Sequence, residues 1–150
     1  MKKDRVYVDT SVIGGCLDEE FAEWSLAVVE LARRGEILLM VSDLLVEELQ
    51  EAPEDVKKVL PSIPESSQIA VRVDDETNEL LQAYLKEKIV SRRYTTDAHH
   101  VAMASVHRAD VLLSWNFKHI VHLDKIRKFN AVNLRLGYAL VEIRSPKEYV

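Results

Sequence analysis

The sequence predicts an α/β fold, a three-layer α/β/α sandwich around a central, mostly parallel sheet. Two observations point to a covered sheet: Ile37–Val41 is apolar at every position, and Val111–Trp115 is broken only by Ser114. Such runs suit strands buried on both faces. The third is the alternation of these runs with segments whose apolar residues recur at helical spacing, which implies crossover connections and a parallel sheet.

In chain order, Arg5–Asp9 reads as a short buried strand that ends at Asp9. Phe21, Trp24, Val28 and Leu31 place a helix from about residue 20 to Arg34, stopped by Gly35. Ile37–Val41 is the second strand, and Ser42 then caps a helix running to about Ala52. Pro53, Pro61 and Pro64 surround Val56, Val59 and Leu60, leaving room for one or two short helices. Leu81, Tyr84, Leu85 and Ile89 mark a helix over about 75–90. Thr95 or Thr96 caps the next, from Asp97 to about Arg108, where Ala98, Ala102, Ala104 and Ser105 allow close packing. Val111–Trp115 is a strand with Asn116 at its carboxyl end, and short pieces near Ala131–Asn133 and Ala139–Ile143 complete the sheet.

The chain of 150 residues carries 20 Lys plus Arg against 25 Asp plus Glu, a net charge of -5. It is 47% hydrophobic and 30% charged, an ordinary globular composition, and its length suits one domain over 1–150. About 68–70% of the unfolded surface should be buried at this length, enough for a core without disulfides or a structural metal. Cys16 is the single cysteine, so no internal disulfide forms, and a reducing cytoplasm is the expected setting. No apolar run approaches a membrane span, and Met1–Asp4 leads into Val6-Tyr7-Val8 without a signal-peptide core. The acidic balance argues against broad, non-specific coating of nucleic acid. It is compatible with a nucleic-acid enzyme whose metal-binding acids supply part of the surplus.

In an open parallel sheet, ligands bind beyond the carboxyl ends of the strands. Asp9 ends the first strand there. Glu48 borders the apolar stripe of Leu45, Leu49 and Ala52, whereas Glu47 shares a solvent face with Asp43, Gln50 and Glu51. A carboxylate on a buried side is costly unless it is paired or holds a metal. Asp97 opens a closely packing helix with His100 on the same face, and Ser114 and Asn116 add a hydroxyl and an amide to the crevice. Three separated acids of this kind suit Mg²⁺ or Mn²⁺, which polarise a phosphoryl oxygen and help deprotonate water. His99 and His100 point apart on a helix, so they make a poor zinc pair. The sequence has no Walker loop, dinucleotide fingerprint or Gly-x-Ser-x-Gly elbow. Cys16 lacks a positioned base and reads as filler.

Four segments, Val8–Val12, Ser42–Leu49, Asp97–Ala104 and Ala109–Asn116, occur in the order seen in PIN domains, and the chain resembles that family over about residues 5–143. PIN domains are metal-dependent ribonucleases that include toxins of toxin–antitoxin pairs. The resemblance implies that Asp9, Glu48 and Asp97 bind Mg²⁺ or Mn²⁺ as catalytic acids, with Thr10, Ser11, Ser114 and His100 as a supporting polar shell. Asn116, counted with the catalytic set, stands where the family often has a fourth acid. It brings no charge there. The resemblance also implies RNA as substrate, an antitoxin partner and a homodimer. Arg92, Arg93 and Lys118 are the candidate RNA contacts, and Lys125, Arg127 and Lys128 form a second basic run. Because of Asn116, a PIN-like protein that binds RNA or a partner protein without cleaving is the alternative reading. A phosphatase on a similar sheet is disfavoured, since Thr10-Ser11 follows Asp9 in place of an Asp-x-Asp pair.

Overall fold

The computed structural model describes residues 2–150. Five strands, β1 (Arg5–Val8), β2 (Leu38–Ser42), β3 (Gln68–Val71), β4 (Val111–Leu113) and β5 (Ile143–Arg144), form one parallel sheet in the order β3-β2-β1-β4-β5. The helices are α1 (Thr10–Gly15), α2 (Ala22–Arg33), α3 (Asp43–Leu49), α4 (Glu54–Lys57), α5 (Asp75–Lys86), α6 (Thr95–Val106), α7 (Leu123–Arg135) and α8 (Pro146–Tyr149). They cover both faces, as expected.

The pleat explains how two cores form on one sheet. Val6, Val8, Leu39, Val41, Val111 and Leu113 point to one side, where they pack with Val12, Val28 and Leu45 of α1, α2 and α3. Tyr7, Met40, Leu112 and Ile143 alternate to the other side, against Leu80, Val101 and Phe129 of α5, α6 and α7. β4 is therefore apolar on every residue and β2 on all but its last, Ser42, the pattern that predicted them.

The chain winds from β1 through β2 to β3 on one side, then returns to place β4 and β5 on the other. The reversal lies between β1 and β4, the switch point at whose carboxyl edge open α/β sheets bind ligands. Ser42 caps α3 as expected, its hydroxyl accepting from the Leu45 N–H at 3.0 Å. Gly35, at φ +71, follows the last turn of α2, a left-handed position that suits glycine.

Several expectations need correction. Ala131–Asn133 is helical, not a strand: it lies in α7, whose Ile126, Phe129 and Asn133 share the packed face. The last strand is only Ile143–Arg144, at the far end of the stretch 139–143. Strand β3 was not anticipated; it is an edge strand with only Val71 buried, so it lacks an all-apolar run. Neither threonine caps α6. Tyr94 occupies the N-cap position, Thr95 is already helical, and its hydroxyl donates to the Arg92 carbonyl at 2.6 Å. The helices after Ser42 and from Asp75 also end earlier than expected, at Leu49 and Lys86.

Candidate active site at the carboxyl edge of the sheet

Asp9 follows β1 directly and occupies the N-cap position of α1, but its side chain caps nothing. It is buried, and its two oxygens accept from two serines: Ser11 Oγ donates to Oδ1 and Ser114 Oγ to Oδ2, each at 2.6 Å. The serines are themselves held by backbone, Ser11 Oγ accepting from Trp115 N–H and Ser114 Oγ from Asn116 N–H, both at 2.9 Å. The turn after β4 thus clamps the carboxylate that follows β1. Burial pushes the Asp9 carboxyl up, and the positive charge of His100 with the two serine hydroxyls offsets only part of that.

Glu48 approaches from α3, half-exposed, while Glu47 is exposed, as the face assignment predicted. Its Oε1 accepts from Thr10 Oγ1 at 2.9 Å and lies 2.6 Å from His100 Nε2. Burial alone would raise this carboxyl; the His100 hydrogen bond and charge, joined by Thr10, hold it below its ordinary range. Asp97, in the first turn of α6, is pushed up by desolvation and by the charge of Asp9, against a lowering hydrogen bond from Asn116 and the charges of His119 and His100. Asn116 turns its Oδ1 to its own loop, accepting from the N–H groups of Lys118 at 3.2 Å and His119 at 2.9 Å. Its amide N–H is therefore the group that meets the acceptor-only Asp97 carboxylate.

Asp9, Glu48, Asp97, Asn116, Thr10, Ser11, Ser114 and His100 all lie at this edge, from four segments. Two further residues belong with them, though sequence reasoning missed their part. Tyr7 lies within 2.6 Å of His100 Nδ1 and donates to Ser42 Oγ at 3.0 Å. His119 stacks on Tyr94, ring centroids 3.8 Å apart, and its charge reaches Asp97. A tyrosine within an all-buried strand was the available signal, since a buried phenol needs a partner.

Arg93 and Lys118 gather over the Tyr94 ring, 5.7 and 5.8 Å from its centroid, at the rim beside Asp97; Arg92 is exposed nearby. In the second basic run Lys125 donates to the Ile89 carbonyl at 2.6 Å, while Arg127 and Lys128 are exposed and Lys128 pairs with Asp124 at the surface. Cys16 is buried and burial pushes its thiol up to about 11, so it is no nucleophile.

Gly15 is needed where α1 meets the turn after β4. A Cβ there would lie 2.5 Å from Ser25 Oγ and 2.8 Å from Trp115 Nε1, which themselves form a 2.8 Å hydrogen bond. Gly15→Ala should therefore cost about 1–3 kcal/mol and displace Trp115, next to Asn116. Urea denaturation checks this; unchanged stability would show that the pair yields freely.

The donor set is all hard oxygen, and two of its three carboxyls are raised, chiefly because burial penalises their charged forms. Among the described residues no three of His, Cys, Asp and Glu converge closely enough to chelate an ion unaided. The set therefore fits Mg²⁺ or Mn²⁺ held by one or two carboxylates with retained waters. It does not fit a fully protein-liganded ion.

No family model matches the sequence, and no curated protein matches it. Solved structures do. The chain is similar to VapBC2 from Rickettsia felis bound to a DNA fragment from its promoter, with TM-score 0.59 and 12% identity, covering 94% of this chain and 98% of that one. It is similar to FitAcB from Neisseria gonorrhoeae, with TM-score 0.57 and 16% identity over 95% and 98% of the two chains. FitAB bound to an IR36 DNA fragment gives 0.56 and 15% over 94% of each. These likenesses establish the fold: the chain has the PIN-like α/β/α architecture that its motifs resembled. Among the described residues no helix is long and apolar enough to cross a membrane.

Proposed function

We propose that this chain is a metal-dependent endoribonuclease, hydrolysing RNA phosphodiester bonds with Mg²⁺ or Mn²⁺, and that it serves as the toxin of a toxin–antitoxin pair. The observation that carries the reading is the meeting of Asp9, Glu48 and Asp97 at the switch point of a PIN-like sheet, with Asp9 and Asp97 both raised. Burying carboxylates that repel one another costs stability, and a function that needs a cation there explains why they are kept.

In this reading one or two of Asp9, Glu48 and Asp97 would hold the ion directly, and the remainder would reach it through its retained waters. When bound, it supplies a Lewis acid for the phosphoryl oxygen and a more acidic water. The protein's own part is orientation. Ser11 and Ser114 fix both oxygens of Asp9, Thr10 fixes one oxygen of Glu48, and Asn116 steadies Asp97 without adding charge. Arg92, Arg93 and Lys118 then take backbone phosphates, giving salt-sensitive affinity without sequence preference. A likeness to structures solved as VapBC2 and FitAB supports an antitoxin partner. A homodimer and a cytoplasmic setting complete the proposal.

A second reading, binding without cleavage, draws on Asn116, whose neutral amide already occupies the Asp97 carboxylate. Incubating a panel of structured RNAs with the protein and Mn²⁺, with and without EDTA, separates the two. Cleavage that EDTA abolishes is the expected outcome. RNA bound but left intact by folded protein across the panel would favour the second reading.

A further inference from the structure

We propose that His100 is a positioning residue which, anchored on the buried Tyr7 hydroxyl, fixes the Glu48 carboxylate for the cation site; the inference rests on the function proposed above. Glu48 is half-exposed near the end of a short helix, and a glutamate side chain left unheld there samples many rotamers. Something must hold it. The two side chains that do so both contact Oε1: Thr10 at 2.9 Å and His100 Nε2 at 2.6 Å. Oε2 is left as the free donor oxygen.

His100 is itself unusually constrained for a residue one turn from Asp97. It is only 2% exposed, its Nδ1 lies 2.6 Å from the Tyr7 hydroxyl, and the two rings meet edge-on with centroids 5.7 Å apart. Tyr7 is fully buried in the central strand and donates to Ser42 Oγ, which in turn caps α3. The chain Ser42–Tyr7–His100–Glu48 therefore grips α3 at both ends from inside the core. It ties β1 and α6 to the one carboxylate of the site that α3 supplies. Partners of this kind orient metal-binding carboxylates, and their loss typically costs about 10–100-fold in metal affinity or activity.

Three variants test the proposal: His100→Leu, which removes the contact; His100→Gln, which keeps a donor near the Nε2 position; and Tyr7→Phe, which removes the anchor together with its hydrogen bond to Ser42. Calorimetric Mn²⁺ titration should show affinity falling about 10–100-fold in His100→Leu, largely restored in His100→Gln and partly lost in Tyr7→Phe. On a cleaved RNA, kcat should fall by a similar factor while KM stays within about twofold, since no phosphate contact is touched. In the metal-free protein, the Glu48 side-chain carboxyl ¹³C resonance should move in His100→Leu and in Tyr7→Phe. Wild-type Mn²⁺ affinity in folded His100→Leu, or equal losses in the Gln and Leu variants, would overturn the positioning role in favour of packing alone. If wild-type protein neither binds Mn²⁺ nor cleaves, the proposed function fails, and the metal-free resonance still decides: unmoved in both variants, it overturns the positioning role as well.

Discussion

Asp9→Asn is expected to abolish metal-dependent RNA cleavage, by about 10³-fold or more, and at the same time to make the metal-free protein more stable. The loss follows from removing the best-held carboxylate of the cluster; about 4 kcal/mol of transition-state stabilisation corresponds to that factor. The gain follows from burial. Asp9 is almost wholly enclosed, and its carboxyl is raised mainly by desolvation. A carboxyl raised on folding destabilises the fold once pH exceeds its unfolded value, and the penalty grows until pH passes the folded value. Below the ordinary carboxylate range both states are protonated and the penalty vanishes. The neutral variant should therefore melt several degrees higher at pH 7 in EDTA, at about 2–4 °C for each kcal/mol released. That advantage should close on acidification. A variant that still cleaves would sink the assignment of Asp9, and one that melts lower would show the serine clamp outweighing desolvation.

Phe129→Ala carries the largest expected loss of stability. Phe129 is fully buried on α7, and its ring meets Tyr84 edge-on with centroids 4.9 Å apart. Tyr84 donates to Asn133 Oδ1 at 2.5 Å, and Asn133 donates to Ser105 Oγ at 2.9 Å, so the ring shields a buried polar network that joins α5, α6 and α7. Truncation should cost about 3–5 kcal/mol, or roughly 6–20 °C in Tm at this chain length. Thermal unfolding followed by circular dichroism checks it; a drop of less than about 2 °C would mean that α7 does not dock through this ring.

What could be read from the sequence, and what could not, divides along the range of the interactions. Strands β2 and β4 announce themselves because both faces are covered, which removes the need for polar residues. Ser42 and Asp9 were legible because capping and strand-end positions are set within a few residues, and Glu48 because one helical turn shows which side is apolar. Strand β3 left no such mark, since an edge strand with one buried residue differs little from a loop. In α7 the short apolar pieces near 131–133 suggested extended chain, while the helical spacing from Ile126 to Asn133 decided the outcome. The roles of Tyr7 and His100 depend on a hydrogen bond across 93 positions, which no local pattern encodes. The direction of Asn116 was equally hidden, because its own loop N–H groups take the oxygen and leave the amide for Asp97.

The claim beneath all of this is that the carboxylates at the carboxyl edge of the sheet hold a divalent cation. Titrating Mn²⁺ into isotopically labelled protein and following paramagnetic broadening of the backbone amide signals tests it without any substrate. Broadening should begin at the amides of Asp9, Thr10, Asp97 and Asn116 at low Mn²⁺, and Asp9→Asn should remove it. Broadening centred elsewhere, or none until the ion is in large excess, would contradict a metal site at this edge.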